Sequence, residues 1–320
     1  MPINNHDPRL ECHLPQLVKL KTSSRDFSLK HGLTNTSIIT GSHSSTSRGQ
    51  GLDFEELRHY TQGDDIRNMD WPTTLRTGKP HVRSYNEEHD RRVIICVDQR
   101  SSMYFASVDT MKSVVAAEVA ALITWRVIDD QDRVNLTLLQ DDKIAEFATT
   151  RSSKAALAQV AALATANQLL TSTPSTSQPM SFSKLITHLA QKQPKQTSII
   201  ILSDWLELDH RSLQSLKVLQ RHNDVLAVMI TDPMEKPHHI NQLMGFVMSD
   251  GDLQLNIDST KLANTAQHGL LNRFAQSYKD ITQIMNGQKL RVLELDTSGQ
   301  HIKQFSQVMT PNTNTIGNAS

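Results

Sequence analysis

Residues 92–103 read RVIICVDQRSSM and residues 198–204 read SIIILSD. Each is an apolar run closed by an acid, the pattern of a strand buried on both faces of a parallel sheet. Helical and extended periodicities alternate around these two runs, which argues for βαβ units and an α/β fold. Asp109 to Ile128 places Met111, Val114, Val115, Val119, Leu122 and Ile123 at helical spacing, with Asp109 as the expected cap. Strands are expected at Val134 to Leu139 and Lys143 to Phe147, close enough to pair antiparallel across Asp141 and Asp142. An alanine-rich helix at Ser153 to Ala166, a Ser/Thr/Pro loop at Thr171 to Pro179 and a helix at Phe182 to Gln191 lead to the second run. Beyond it come a helix near Ser212 to His222 and a strand at Val225 to Ile230. Phe246 to Ile257 carries hairpin chemistry about Ser249, Asp250 and Gly251. A long helix, Lys261 to Asn286, and a last strand, Leu290 to Leu295, complete the unit.

Working outward, the expected organisation has four parts. Residues 1–48 hold a helix around Leu14 to Leu20 and a linker rich in Ser, Thr, Gly and His. Residues 49–90 form a small irregular segment, with strands at Leu52 to Tyr60 and His81 to Tyr85, packed on the main domain. Residues 91–309 are that α/β domain, and 310–320 a disordered tail. The chain has 33 basic and 33 acidic residues, so no net field draws it to nucleic acid or an anionic membrane. Its two cysteines, Cys12 and Cys96, exclude a disulfide framework and fit a reducing compartment. The first residues lack the basic and apolar regions of a secretory signal, and no stretch approaches the ~18 apolar residues of a membrane span. A cytoplasmic protein without direct membrane insertion is the expectation.

In open α/β sheets, ligands gather outside the carboxyl ends of the strands where strand order switches. Asp98 and Asp204 occupy such ends, on strands expected to lie side by side. The run Asp98-Gln99-Arg100-Ser101-Ser102 resembles the metal-ion-dependent adhesion site of von Willebrand factor A domains, Asp-x-Ser-x-Ser followed by a distant Thr and a distant Asp. That resemblance implies a doubly wound, mainly parallel sheet with one antiparallel edge strand. It also implies a site of carboxylate and hydroxyl oxygens suited to Mg²⁺. Asp98, Ser102 and Asp204 match the ligand pattern, and Ser183 is the best registration for the distant Thr, with Thr171, Thr173 and Thr176 nearby in the loop. Arg100 stands where the first ligand Ser belongs. An inward guanidinium ~4 Å from a dication would be repelled by roughly 8 kcal/mol at an effective dielectric of about 20. Arg100 is therefore expected either to serve as a built-in cation for Asp98 and Asp204 or to turn outward. On either reading Asp98, Arg100, Ser102 and Asp204 form the partner-binding surface of a degenerate site, and no cofactor besides Mg²⁺ is a candidate. The following Met103, Tyr104 and Phe105 either add exposed apolar contact or pack beneath it.

The segment before the domain mixes acids, arginines and aromatics: GQGLDFEELRHYTQGDDIRNMDWPTTLRTGKPHVRSY, residues 49–85. Bidentate Arg–carboxylate pairs bracing an irregular segment are the plainer reading, and a docking surface anchored on Trp71 and Tyr60 is the sharper one. Arg58, Tyr60, Gly63, Asp64, Asp65, Arg67, Asp70, Trp71, Thr74, Arg76 and Gly78 follow the spacing of a family signature. On these residues the chain resembles the bacterial family called domain of unknown function 58, whose signature precedes a von Willebrand A-like domain. Leu75 departs from the small residue usual there, and the resemblance runs from about Gly41 to Asp296, weakening after Asp204. It implies a non-catalytic adaptor or chaperone-like partner of a MoxR-type AAA+ ATPase that grips a client protein. The chain could not supply the force itself, because it lacks a Gly-x-x-x-x-Gly-Lys-Ser/Thr phosphate loop.

Two other classes stay open. Asp64, Asp65, Asp70, Glu87, Glu88 and His89, with His238 and His239, could in principle build a metal-dependent hydrolase site. Acids so interleaved with Arg read as salt bridges, and no Gly-x-Ser-x-Gly elbow, His-Glu-x-x-His helix or Cys-x-x-Cys pair is present. An envelope-associated adhesive A domain keeps the fold and changes the setting.

Overall fold

The structure is a computed structural model. It describes residues 7–29, 53–61, 64, 66–86, 91–172, 176, 178–205, 208–235, 247–249, 254–256, 276, 279, 281, 283, 285, 287 and 290–310. The chain divides into two compact units, one of residues 1–41 with 91–320 and one of residues 42–90.

The larger unit begins with α1 (Leu14–Ser23). It continues through β3 (Arg92–Gln99), α3 (Lys112–Asp129), β4 (Arg133–Gln140), β5 (Ile144–Glu146), α4 (Ser153–Gln168) and α5 (Phe182–Gln191). Then come β6 (Thr197–Ser203), α6 (His210–Gln220), β7 (Asp224–Thr231), the short hairpin β8 (Val247–Ser249) and β9 (Gln254–Asn256), β10 (Arg291–Asp296) and α7 (His301–Met309). The smaller unit holds β1 (Asp53–His59), α2 (Trp71–Thr77) and β2 (His81–Asn86).

Six strands form one sheet in the order β10-β7-β6-β3-β4-β5, parallel throughout except for the edge strand β5, which runs antiparallel to β4. The apolar runs ending in Asp98 and Asp204 form β3 and β6, which are neighbours, Arg92 pairing with Thr197 and Val97 with Leu202. Side chains alternate across the sheet as period-2 geometry requires. Val93, Ile95, Val97, Ile200, Leu202, Leu226, Val228 and Ile230 enter one core with α1, α3, α4 and α7. Cys96, Ile199, Ile201, Val225, Ala227 and Met229 enter the other with α5, α6 and the helical residues Ile281 and Met285. The molecule therefore has helices on both faces of a mainly parallel sheet, as the alternating pattern predicts. α3 is buried around most of its circumference, the mark of a central helix rather than a surface one.

Several details differ from the sequence reading. Asp109 does not cap α3, which starts at Lys112 after Met111; its carboxylate instead accepts from the Thr110 hydroxyl and pairs with Arg9. Pairing between β4 and β5 keeps only Ile144–Glu146 as strand. α1, expected in a separate N-terminal segment, belongs to the larger unit: Leu17 is buried and the Trp125 indole donates to its carbonyl at 2.9 Å. α7 follows the strand expected to end the unit, burying Phe305 edge-on against Phe27 with ring centroids 5.3 Å apart. The hairpin strands pair as expected, whereas its turn, residues 261–275 and the tail lie outside the described residues.

In the smaller unit β1 and β2 pair antiparallel, Leu57 opposite Arg83 and His59 opposite His81. α2 starts at Asp70, whose carboxylate accepts from Thr73 N at 2.8 Å, and has Pro72 in its first turn. It stops at Gly78, which adopts φ +69 and returns its N–H to Thr74 O, the left-handed cap that a residue without Cβ takes most cheaply.

Candidate functional site

β3 and β6 flank the point where strand order switches, so their carboxyl ends open the crevice in which α/β sheets place ligands. Asp98, the seventh residue of β3, is fully buried. Arg100 turns back on it: Nε donates to Oδ1 at 3.0 Å and Nη2 to Oδ2 at 2.9 Å, a bidentate pair. Nη1 donates to Met180 O at 3.2 Å, and the arginine is only 3% exposed. Ser203, the last residue of β6, donates its hydroxyl to Asp98 Oδ2 at 2.7 Å. Of the two orientations open to Arg100, the structure has the inward one.

Asp204 follows β6 and is also buried. Burial, reinforced by the nearby Asp98 and Glu235 carboxylates, pushes its pKa up to about 6 against the pull of Lys112 and Arg100. Lys112, the first residue of α3, is buried and ion-paired with Glu235 in the 3-10 turn after β7. Asp232, in the same loop, accepts from Ser107 N at 2.8 Å, Thr297 Oγ1 at 2.6 Å and Met234 N at 2.9 Å. The crevice is thus lined by a buried charge network in which side-chain cations stand beside the strand-end carboxylates.

A divalent cation does not fit at Asp98 in this arrangement, because both carboxylate oxygens already receive the guanidinium. The other expected ligands go elsewhere. Ser102 is exposed on the 3-10 turn Ser101–Met103, while its neighbour Ser101 donates to Asp141 Oδ1 through both N (3.1 Å) and Oγ (3.2 Å). Ser183 on α5 accepts from the Ser212 hydroxyl at 2.8 Å, within the cap that Asp209 makes for α6. Thr171 and Thr176 lie outside helix and strand, and Thr173 is outside the described residues. Of the quartet expected to meet a partner, Asp98, Arg100 and Asp204 are buried and Ser102 faces solvent. Met103 packs beneath the site, fully buried.

Sequence reasoning missed Lys112, Ser203, Asp232 and Glu235, which come from three separate stretches of the chain. It also missed Trp205, a buried tryptophan at φ +61 directly after Asp204. Its ring lies 4.9 Å from Phe182 and its indole donates to Val228 O at 3.2 Å. A bulky residue in the left-handed region is strained, and packing this tight is what can hold it there. The one readable signal was position, a tryptophan immediately following a strand-end acid.

In the smaller unit the salt-bridge reading is what the geometry displays. Arg58 is bidentate to Asp64, at 2.9 and 2.7 Å, and Arg83 Nε meets Asp70 Oδ2 at 2.8 Å. Arg58 and the Thr61 donors hold Asp64 well below the usual carboxylate range, and Thr73 N with Arg83 lowers Asp70 to about 2. Gly63, Asp65, Glu87, Glu88, His89, His238 and His239 lie outside the described residues. Tyr60 is half-buried, Thr74 accepts from His81 N at 3.0 Å, and Trp71, Arg67 and Arg76 are exposed.

What fold and site define is an α/β protein with a buried charge network at the carboxyl ends of the strands where its sheet order switches. Residues 56–258 match the family described as protein of unknown function DUF58, and the chain belongs to that family. Similar proteins include an uncharacterized protein of Mycobacterium bovis and one of Mycobacterium tuberculosis. Each is 24% identical over 217 residues, spanning 68% of this chain and 67% of the relative. Among the described residues no helix is long and apolar enough to cross a membrane.

Proposed function

We propose that this protein is a non-catalytic, von Willebrand A-like interaction module. It binds a protein partner at the carboxyl edge of its central sheet, without a metal ion, and serves as a cytoplasmic adaptor for a MoxR-type AAA+ ATPase. The observation that carries this reading is the Arg100 guanidinium seated on Asp98 where a metal-dependent A domain would place its cation. The A-like assignment is supported by the strand order, by the single antiparallel edge strand and by two acids at adjacent strand ends. The ATPase partner is what the Arg58–Gly78 signature implies through its resemblance to the family. The internal cation replaces the metal's structural task, neutralising Asp98 and fixing the 3-10 turn at Ser101–Met103. Around that turn Ser102 and Val108 are exposed and available to a partner.

The test is capture of the purified MoxR-type ATPase of the source organism by the full chain, without ATP, in EDTA and in Mg²⁺. Capture equal in both buffers, and reduced at least tenfold by Ser102→Trp with Val108→Arg, is expected. Capture abolished by EDTA, or unaffected by the surface pair, would overturn the reading.

A further inference from the structure

The smaller unit carries an exposed face that the Asp98 crevice does not account for. We propose that the outward side of α2, formed by Trp71, Pro72, Leu75 and Arg76, is a second docking surface, and that its occupant is an acidic segment with an apolar side, contributed by a protein partner.

The residues of the Arg58–Gly78 segment divide into two sets. Arg58, Asp64, Asp70, Thr74 and Gly78 are consumed in building the unit, through the pairs, cap and left-handed stop described above. Trp71 and Arg76 belong to the same fixed spacing and point to solvent instead. Residues at i and i+4 share a helix face, so Trp71 lies beside Leu75, and Pro72 and Arg76 continue the outward arc. Thr73 and Thr74 are half-buried on the opposite arc.

The exposure is large. Trp71 is 57% exposed and Leu75 81%. The other two of the chain's three tryptophans, Trp125 and Trp205, are buried. Tryptophan and arginine on a rigid support are the residues that carry most binding energy at protein interfaces. Rigidity is supplied from three sides: the Asp70 cap is itself held by Arg83, Gly78 fixes the exit, and the Met69–Val82 bridge ties the entry to β2. A seven-residue helix would not persist in water without such restraints.

The rim charge chooses the occupant. Arg76 and Lys79 are exposed at the C-terminal end of α2. Among the described residues, the nearest acids in the turn and cap, Asp64 and Asp70, are paired with Arg58 and Arg83. Such a face favours carboxylates around an apolar centre. A lipid surface is disfavoured, because the chain's net charge is zero and two exposed apolar side chains bury little area. This surface goes beyond the crevice reading and stands or falls separately from it.

The experiment places the photo-crosslinking residue p-benzoylphenylalanine at position 75 of the full chain, expressed in its source cell, with position 143 as an exposed control. Cross-linked peptides are sequenced. One predominant partner segment with at least three Asp or Glu among apolar residues is expected. The corresponding synthetic peptide should blue-shift Trp71 fluorescence, losing affinity at least tenfold with Arg76→Glu and with Trp71→Ala, and not with Ser102→Trp. Cross-links no stronger than from position 143, or confined to this chain or a second copy of it, overturn the proposal. So does a segment without acids, or affinity unchanged in both variants. Fluorescence shift and co-sedimentation with phosphatidylglycerol vesicles, without a protein cross-link, would assign the face to membrane and overturn it equally. Both variants alter exposed side chains, so unchanged circular dichroism separates lost binding from lost fold.

Discussion

The Asp98–Arg100 pair shows how one residue decides the chemistry of a site. A carboxylate buried completely needs a partner, and removing that partner strands its charge. Arg100→Ala is expected to destabilise the protein by about 3–5 kcal/mol. Asp98→Ala combined with it should cost clearly less than the sum of the two single changes, because each removes the same interaction. Urea denaturation of the four proteins checks the cycle. Asp204 offers a second handle. Its folded-state pKa is raised to about 6 from the ordinary 3.8, so the folded protein binds a proton that the unfolded chain has released across that window. Stability from this group is fully present below about pH 4 and is lost as pH rises through about 6, by on the order of 2–3 kcal/mol. Asp64 and Asp70, whose values are lowered, act oppositely at acid pH, so the difference between the native chain and Asp204→Asn isolates the effect. Equal pH dependence in both proteins would refute it. At this scale Asp98, Arg100 and Asp204 are legible from the chain alone, because a strand-end acid is visible in an apolar run. Lys112 and Glu235 were hidden, since nothing local marks two residues 123 positions apart as a pair.

Elements in this chain are legible where apolar periodicity is long, and less so where ends are set by single contacts. β3, β6, β7, α4 and α5 fall close to where their patterns place them. The start of α3 shifts because Asp109 finds Arg9 and Thr110, contacts that no cap rule anticipates. Two glycines test how much such ends matter. Gly78 at φ +69 has open space where a Cβ would go, so Gly78→Ala should cost only the left-handed strain, about 1–2 kcal/mol. Gly299 at φ +78 would bring a Cβ to 2.5 Å from Asp109 Oδ2. Gly299→Ala must therefore add to the same strain the displacement of a carboxylate that holds Arg9. It should lower the thermal midpoint more than Gly78→Ala does, and the reverse order would show that Asp109 moves aside freely.

At the level of the molecule, the larger unit is closed by pieces from both ends of the chain. Glu118 on α3 meets Gln16 Nε2 from α1 and His301 Nε2 from α7, each at 2.5 Å. Cys12 N donates to Asn167 Oδ1, and Asn167 to Gln99, whose amide reaches Ser113 O behind the site. Deleting residues 1–29 removes Cys12, Leu17, Phe27 and Leu29 from the core and uncovers Trp125. The truncated chain should aggregate or bind a hydrophobic dye strongly, and a monomeric, cooperatively melting product would contradict the packing. The α/β class, the two buried strands and the acids that end them could be read from the chain's residue order. Those follow from hydrophobic periodicity, which is a local property of the chain. The inward turn of Arg100, the joining of Lys112 and Glu235 to the same network, and the sealing of the core by α1 and α7 emerge from folding. Each of those depends on which side chains meet once apolar surface is buried, and such meetings link residues that lie far apart along the chain.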